Sequence, residues 1–198
     1  MSIFIAYNIF LSYLNNIRII KKCYSVDNVI KKYSLVEFSS NSINSNELIN
    51  YVINKKIDLI ISIAFPEIFK SEILYTPKHG CINYHTALLP KYRGRQPLFW
   101  ALFNNEKETG ITIHKMDKNI DKGMIILQQS ISIENIDTIN NLYKKTIGVG
   151  PELLYQATIK LRNNKENFIN IKNTKEKLYN FPNAKDGLKF RQNGKKFI

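Results

Sequence analysis

The sequence predicts an α/β fold: a mostly parallel sheet with helices on both faces. Two observations carry this. An apolar run at 57–65, IDLIISIAF, is too uniformly hydrophobic for a half-exposed strand and fits one buried on both sides, the habit of parallel strands covered by helices. It sits in a rhythm of helix, buried strand, helix, buried strand, the signature of βα repeats. Residues 45–56 supply the first of those helices, with apolar side chains at helical spacing in NELINYVINKK. PEIFKSEIL after the strand reads as a turn and a short helix, and GCINYH, 80–85, as the next strand.

The second half changes pattern. PLFWALFNN, 97–105, predicts a helix with Pro97 near its first turn, where a missing N–H costs nothing. GITIHKM, 110–116, and MIILQQSISI, 124–133, alternate as strands do and pair around the intervening loop. Residues 137–164 are helical in pattern, with Asp137 or Thr138 as the cap. Gly148, Gly150 and Pro151 interrupt that pattern, which predicts a kink or two helices.

Composition narrows the class. The 198 residues are 44% hydrophobic, with few Gly and Pro, so most of the chain is expected to pack as one domain of residues 1–165, followed by a basic extension, 166–198, docked on it. The two cysteines, Cys23 and Cys81, fit no zinc or redox spacing, and a reducing, cytoplasmic compartment is expected. No apolar run reaches the ~20 residues of a membrane helix. The apolar start, MSIFIAYNIFLSYLNNIRIIKK, lacks a basic leader and a small-residue cleavage site and reads as a core element. The net charge is +13, and residues 160–198 hold 11 basic against 3 acidic side chains. Such an end attracts phosphates or nucleic acid, or is simply a solvated, lysine-rich periphery.

Chemistry concentrates in CINYHTALLPKYRG, 81–94. Side chains two apart on a strand share a face, so Asn83 and His85 point one way, at the carboxyl end where α/β folds place ligands. A neutral imidazole exchanges protons near pH 7, and an amide donates to an oxyanion without ionising. Together they suit attack of an amine on a carbonyl. Asp121, beside Gly123 in a turn between two predicted strands, supplies the carboxylate that orients the imidazole or orders a water. His79 and His114 have no equally placed Asn and read as structural or peripheral.

These pieces resemble the folate-dependent formyltransferases, a family that includes glycinamide ribonucleotide, methionyl-tRNA and amino-sugar enzymes. The resemblance runs from about Ile57 to Leu161 and rests on NYHTALLPKYRG, TGITIHKMD and DKGMIILQQ in that order. It implies a Rossmann-like catalytic domain and transfer of the formyl group of 10-formyltetrahydrofolate to a primary amine, without a metal. Asn83, His85 and Asp121 then take the catalytic positions. The folate falls to Phe65, Pro66, Ile68, Leu88, Lys122 and Gly123, and the acceptor to Thr86, Tyr92, Arg93, Gly94 and Arg95. Arg93 has two readings, a phosphate ligand or the residue that holds its loop.

Three departures stand out. Thr86-Ala87 replaces the family's Ser before Leu-Leu-Pro, and the late loop is Asp121-Lys122-Gly123 rather than Asp-Thr-Gly. Only about thirty residues precede the segment matching VIKKYSLVEF, which implies a shortened N-terminal unit. LLPKYRGRQPLFWAL resembles the methionyl-tRNA and amino-sugar branches. The 37 residues after Leu161 are too few for the tRNA enzymes' added barrel, and KLYNFPNAKDGLKFRQNGKKFI resembles the ending of stand-alone enzymes, with Phe181-Pro182 and Phe190 as docking points. The expected acceptor is therefore a nucleotide-linked amino sugar. Methionyl-tRNA is the alternative, and a catalytically impaired folate or nucleotide binder is a third reading. The sequence leaves the oligomeric state open.

Overall fold

The computed structural model describes residues 3–6, 26–163 and 167–198. The rest of the apolar N-terminal run, Cys23, most of the N-terminal unit expected to be shortened, and the expected boundary at 165/166 lie outside the described residues. Two compact units divide at residues 81 and 82.

In the first unit, strand β1 (Ile3–Ala6) pairs in parallel with β2 (Leu59–Ile63), Ile3 opposite Leu59. Helix α1 (Val26–Tyr33) precedes α2 (Asn46–Asn54), where Ser45 is the cap and its hydroxyl accepts from the Leu48 N–H. Leu48 and Val52, four apart on α2, are both buried, as the spacing in NELINYVINKK requires. β2 is buried at Leu59, Ile60, Ile61 and Ser62, so both its faces are covered as its composition predicts. Short helix α3 (Ser71–Tyr75) buries Ile73 and Leu74. The chain then returns beside β2, with the Ile60 N–H donating to the Gly80 carbonyl. Cys81 is a core residue. Its Sγ donates to the Ile73 carbonyl, and burial pushes the thiol up to about 12, which makes it an unreactive group.

β3 (Cys81–His85) carries the chain into the second unit, where residues 82–85 pair antiparallel with β5 (Glu108–Lys115). β5 in turn pairs antiparallel with β6 (Ile125–Ser132), the hairpin expected from the alternation. Its register shifts between Ile113 and His114, so two residues of β6 oppose one of β5. A two-residue strand β4 (Arg93–Gly94) pairs in parallel with β7 (Leu178–Tyr179) from the C-terminal extension.

Helix α4 (Pro97–Phe103) packs Leu98, Phe99 and Leu102 against Ile139 and Leu142 of α5 (Ile139–Arg162) and against Phe190 of α6 (Ala184–Gln192). Phe190 is fully buried and stacks on Phe99 at 4.7 Å, whereas Phe181 stays 57% exposed, so only Phe190 is buried as a docking point. A single helix, capped by the Thr138 hydroxyl, spans the region where Gly148, Gly150 and Pro151 predict a break. Gly150 serves close packing there. A Cβ on it would lie 2.2 Å from the Tyr84 hydroxyl, which itself donates to the Thr146 carbonyl at 2.9 Å. No helix among the described residues is long and apolar enough to cross a membrane.

Candidate active site

The end of β3, the end of β5 and the turn after it converge within the second unit. Antiparallel register sets Asn83 opposite His114 and His85 opposite Thr112. Four polar side chains consequently meet. Asp121 Oδ2 lies 3.7 Å from His85 Nδ1, and its Oδ1 lies 3.3 Å from His114 Nε2. Asn83 Nδ2 donates toward Asp121 Oδ1 at 3.5 Å and lies 3.4 Å from His114 Nε2. Asn83, His85 and Asp121, singled out in the sequence, thus share one site.

His114, read as structural or peripheral from the sequence, belongs to the same cluster. The misreading has a physical origin: its place depends on the antiparallel register that sets it opposite Asn83, which pairs residues 31 positions apart. The available signal was its neighbourhood in GITIHKM, two residues after the Thr that holds the preceding loop.

Backbone contacts fix the proton positions. His85 Nε2 is 2.9 Å from the Tyr92 carbonyl, which only accepts, so Nε2 carries the hydrogen and Nδ1 faces the carboxylate. His114 Nδ1 lies 2.9 Å from the Lys115 carbonyl, and its Nε2 faces Asp121 and Asn83. Burial drives the His85 pKa down, His114 adds to this, and Asp121 and the Tyr92 carbonyl oppose it, so the imidazole is neutral near pH 7. For Asp121 burial acts upward, but His85, His114 and the Gly94 N–H outweigh it and hold the carboxyl well below the usual carboxylate range. An anion and a neutral base therefore stand side by side.

The motif residues around the cluster hold it. The Thr112 hydroxyl donates to the Ala87 carbonyl and accepts from the Leu89 N–H and from Gln128 Nε2, tying the Leu-Leu-Pro loop to the sheet. Gly123 has no room for a side chain, since a Cβ would fall 1.6 Å from the Lys115 carbonyl oxygen. That is the reason for glycine two residues after Asp121, itself in left-handed backbone at φ 49. Gly110 leaves space for Leu88, which packs over it.

Other expected ligand contacts divide. Thr86, Leu88 and Lys122 are half-buried, and Arg95 is exposed with its guanidinium 4.7 Å from the Phe181 ring. In the first unit Phe65 is half-buried with its ring edge toward Phe69, while Pro66 and Ile68 are exposed. The contacts of Arg93 match its loop-holding reading: it is buried, and its donors go to the Ile120 and Glu176 carbonyls. Tyr92 and Gly94, expected at the acceptor, also make scaffold contacts. The Tyr92 ring is buried with its hydroxyl on Glu106, and the Gly94 N–H donates to Asp121 Oδ2 at 2.8 Å.

The formyl transferase family profile matches residues 15–158, well over half of the chain. The chain belongs to the formyl transferase family. It is 42% identical over 139 residues to the bifunctional polymyxin resistance protein ArnA of Wigglesworthia glossinidia brevipalpis, covering 70% of this chain and 21% of that protein. It is 39% identical over 134 residues to the methionyl-tRNA formyltransferase of Alkaliphilus oremlandii, covering 68% of this chain and 43% of the relative. The crystal structure of WlaRD, a sugar 3N-formyl transferase in the presence of dTDP and 5-N-formyl-THF, aligns with a TM-score of 0.54 and 29% identity, over 61% of this chain and 43% of that one. The chain thus spans less than half the length of these relatives. The family match ends before the C-terminal extension.

Proposed function

We propose that this chain transfers a formyl group from 10-formyltetrahydrofolate to the primary amine of a nucleotide-linked amino sugar. The observation that carries the chemistry is the meeting of the Asn83 amide, the His85 imidazole and the Asp121 carboxylate within one cluster. The acceptor nitrogen attacks the formyl carbon, and the carbonyl oxygen becomes an oxyanion that the Asn83 N–H stabilises. The attacking nitrogen loses a proton to His85 Nδ1, the imidazole nitrogen not engaged by Tyr92. The imidazolium so formed is stabilised by Asp121, 3.7 Å away. The bond from the formyl carbon to the folate nitrogen then breaks, and that nitrogen takes up a proton as tetrahydrofolate leaves. Within the second unit, Leu88, Lys122 and Gly123 are assigned to the folate and Thr86 and Arg95 to the acceptor.

A sugar nucleotide is supported by the similarity to a sugar 3N-formyl transferase studied with dTDP. Methionyl-tRNA is the second reading, supported by the similarity to methionyl-tRNA formyltransferases and by the basic extension. The test is tetrahydrofolate release from 10-formyltetrahydrofolate against a panel of nucleotide-linked amino sugars, with methionyl-tRNA and glycinamide ribonucleotide alongside. Turnover of a sugar alone supports the proposal, turnover of the tRNA alone replaces it with the second reading, and silence across the panel contradicts both.

A further inference from the structure

Tyr92-Arg93-Gly94 holds the cluster from one side. The Tyr92 carbonyl accepts from His85 Nε2 at 2.9 Å, and the Gly94 N–H donates to Asp121 Oδ2 at 2.8 Å. Arg93 Nε and Nη2 donate to the carbonyl of Ile120, the residue before Asp121, at 3.0 and 2.8 Å. Three consecutive residues thus grip both partners of the His85–Asp121 pair.

The C-terminal extension holds that tripeptide from the other side. Arg93 Nη1 donates to the Glu176 carbonyl at 3.0 Å, and the Arg95 N–H donates to the Tyr179 carbonyl at 2.8 Å beside the β4–β7 pairing. The Tyr179 ring lies 5.2 Å from Tyr92 and 5.1 Å from Trp100, whose indole N–H donates to the Asn180 carbonyl. Gly94 packs closely on β7, where a Cβ would fall 2.2 Å from the Tyr179 oxygen. β7 is itself pinned on both flanks, by buried Ile171 and buried Phe190.

The gripped backbone does not hold itself. Tyr92 (φ 55), Gln96 (φ 53) and Asp121 (φ 49) are all left-handed without being glycine. Such conformations persist only where surrounding contacts over-determine them.

We infer that Glu176–Asn180 is a positioning element of the active site, acting through Arg93 and Gly94 to hold His85 and Asp121 in register. The inference rests on the proposed formyl transfer. Shifts of about 1 Å in such a pair cost on the order of 10²-fold in rate. Besides Asp121, His85 faces His114 of β5, with ring centroids 6.4 Å apart, so its titration reports how closely this set is held.

The test uses the full chain with Arg93→Lys, which keeps the charge and loses the forked donors, and Tyr179→Ala. Leu188→Ala, a 61% exposed position on the same extension, is the control. In variants shown by circular dichroism to be folded at assay temperature, kcat is expected to fall about 10-fold or more. KM for folate and acceptor should stay within about threefold, and the control should match wild type. Independently of turnover, nitrogen NMR of the His85 imidazole is expected to show its titration midpoint displaced in Arg93→Lys and Tyr179→Ala and unmoved in Leu188→Ala. Wild-type kcat and an unmoved midpoint in both folded variants overturn the inference, as does a loss of activity equal to the unfolded fraction. An inactive wild type whose His85 midpoint still moves in the variants leaves the coupling standing and overturns the proposed function instead.

Discussion

Glu67 in the first unit and Asp121 in the second are both carboxylates held below their ordinary range, by different means. Glu67 accepts from the Ser42 hydroxyl, the Ile43 N–H and the Asn44 amide, with Lys70 adding a little. Asn44 extends the same clasp, donating to the Ile68 carbonyl and accepting from the Lys70 N–H. The hydrogen-bond partners of Glu67 are neutral and none gives up its proton near neutral pH, so it latches 42–44 to 67–70. Asp121 has one fixed donor, the Gly94 N–H, and its other neighbours are two imidazoles and an amide. A lowered pKa alone therefore does not mark chemistry. The mark is a carboxylate beside an imidazole, His85, whose Nδ1 is open to a proton.

The largest expected effect falls on the groups assigned to the reacting centre. Asn83→Ala or His85→Ala should each lower kcat for formyl transfer by on the order of 10²-fold or more, measured as tetrahydrofolate release. Turnover unchanged in both would place Asp121's neighbours in the same class as Glu67's. A smaller loss, about 10-fold, is expected for His114→Ala, since Asp121 then keeps His85 and Gly94 but loses a contact at 3.3 Å. A loss as deep as that of His85→Ala would move His114 from positioning into the reaction itself.

The acid limb of the rate sharpens the comparison further. His85 must be neutral to accept a proton, and its folded pKa lies below the usual histidine value, first because of burial. Under the proposed role, activity is therefore expected at neutral pH and should be lost only as pH falls below the ordinary histidine range near ~6.5. An acid limb above that range would contradict the assignment. The smallest effect belongs to Glu67. Its folded pKa is depressed, so its contribution to stability is present above the ordinary glutamate range and lost as pH falls below it. Glu67→Gln should lower Tm at neutral pH by about 2–4 °C and flatten the decline of Tm with acid. Identical melting at all pH values would remove its role as a latch.

Much of this was legible in the sequence where the cause is local. IDLIISIAF specified a strand buried on both faces, and the alternation at 110–133 specified the hairpin. The face shared by Asn83 and His85 follows from a strand's period of two, and Asp121 was findable because its turn requires Gly123. What stayed hidden depends on distant parts. Arg93 donates to residues 27 and 83 positions away, which no local pattern displays. His114 joins the site through the β3–β5 register. The unbroken helix of 139–162 persists across glycines and a proline because it is packed, with Gly150 giving way to the Tyr84 hydroxyl.

The most direct test of the central claim is kcat for formyl transfer by Asp121→Asn and Glu67→Gln, measured side by side at neutral pH on folded protein. The account predicts a loss on the order of 10²-fold for Asp121→Asn, and turnover within about threefold of wild type for Glu67→Gln. Wild-type turnover in Asp121→Asn, or equal losses in the two variants, would contradict it.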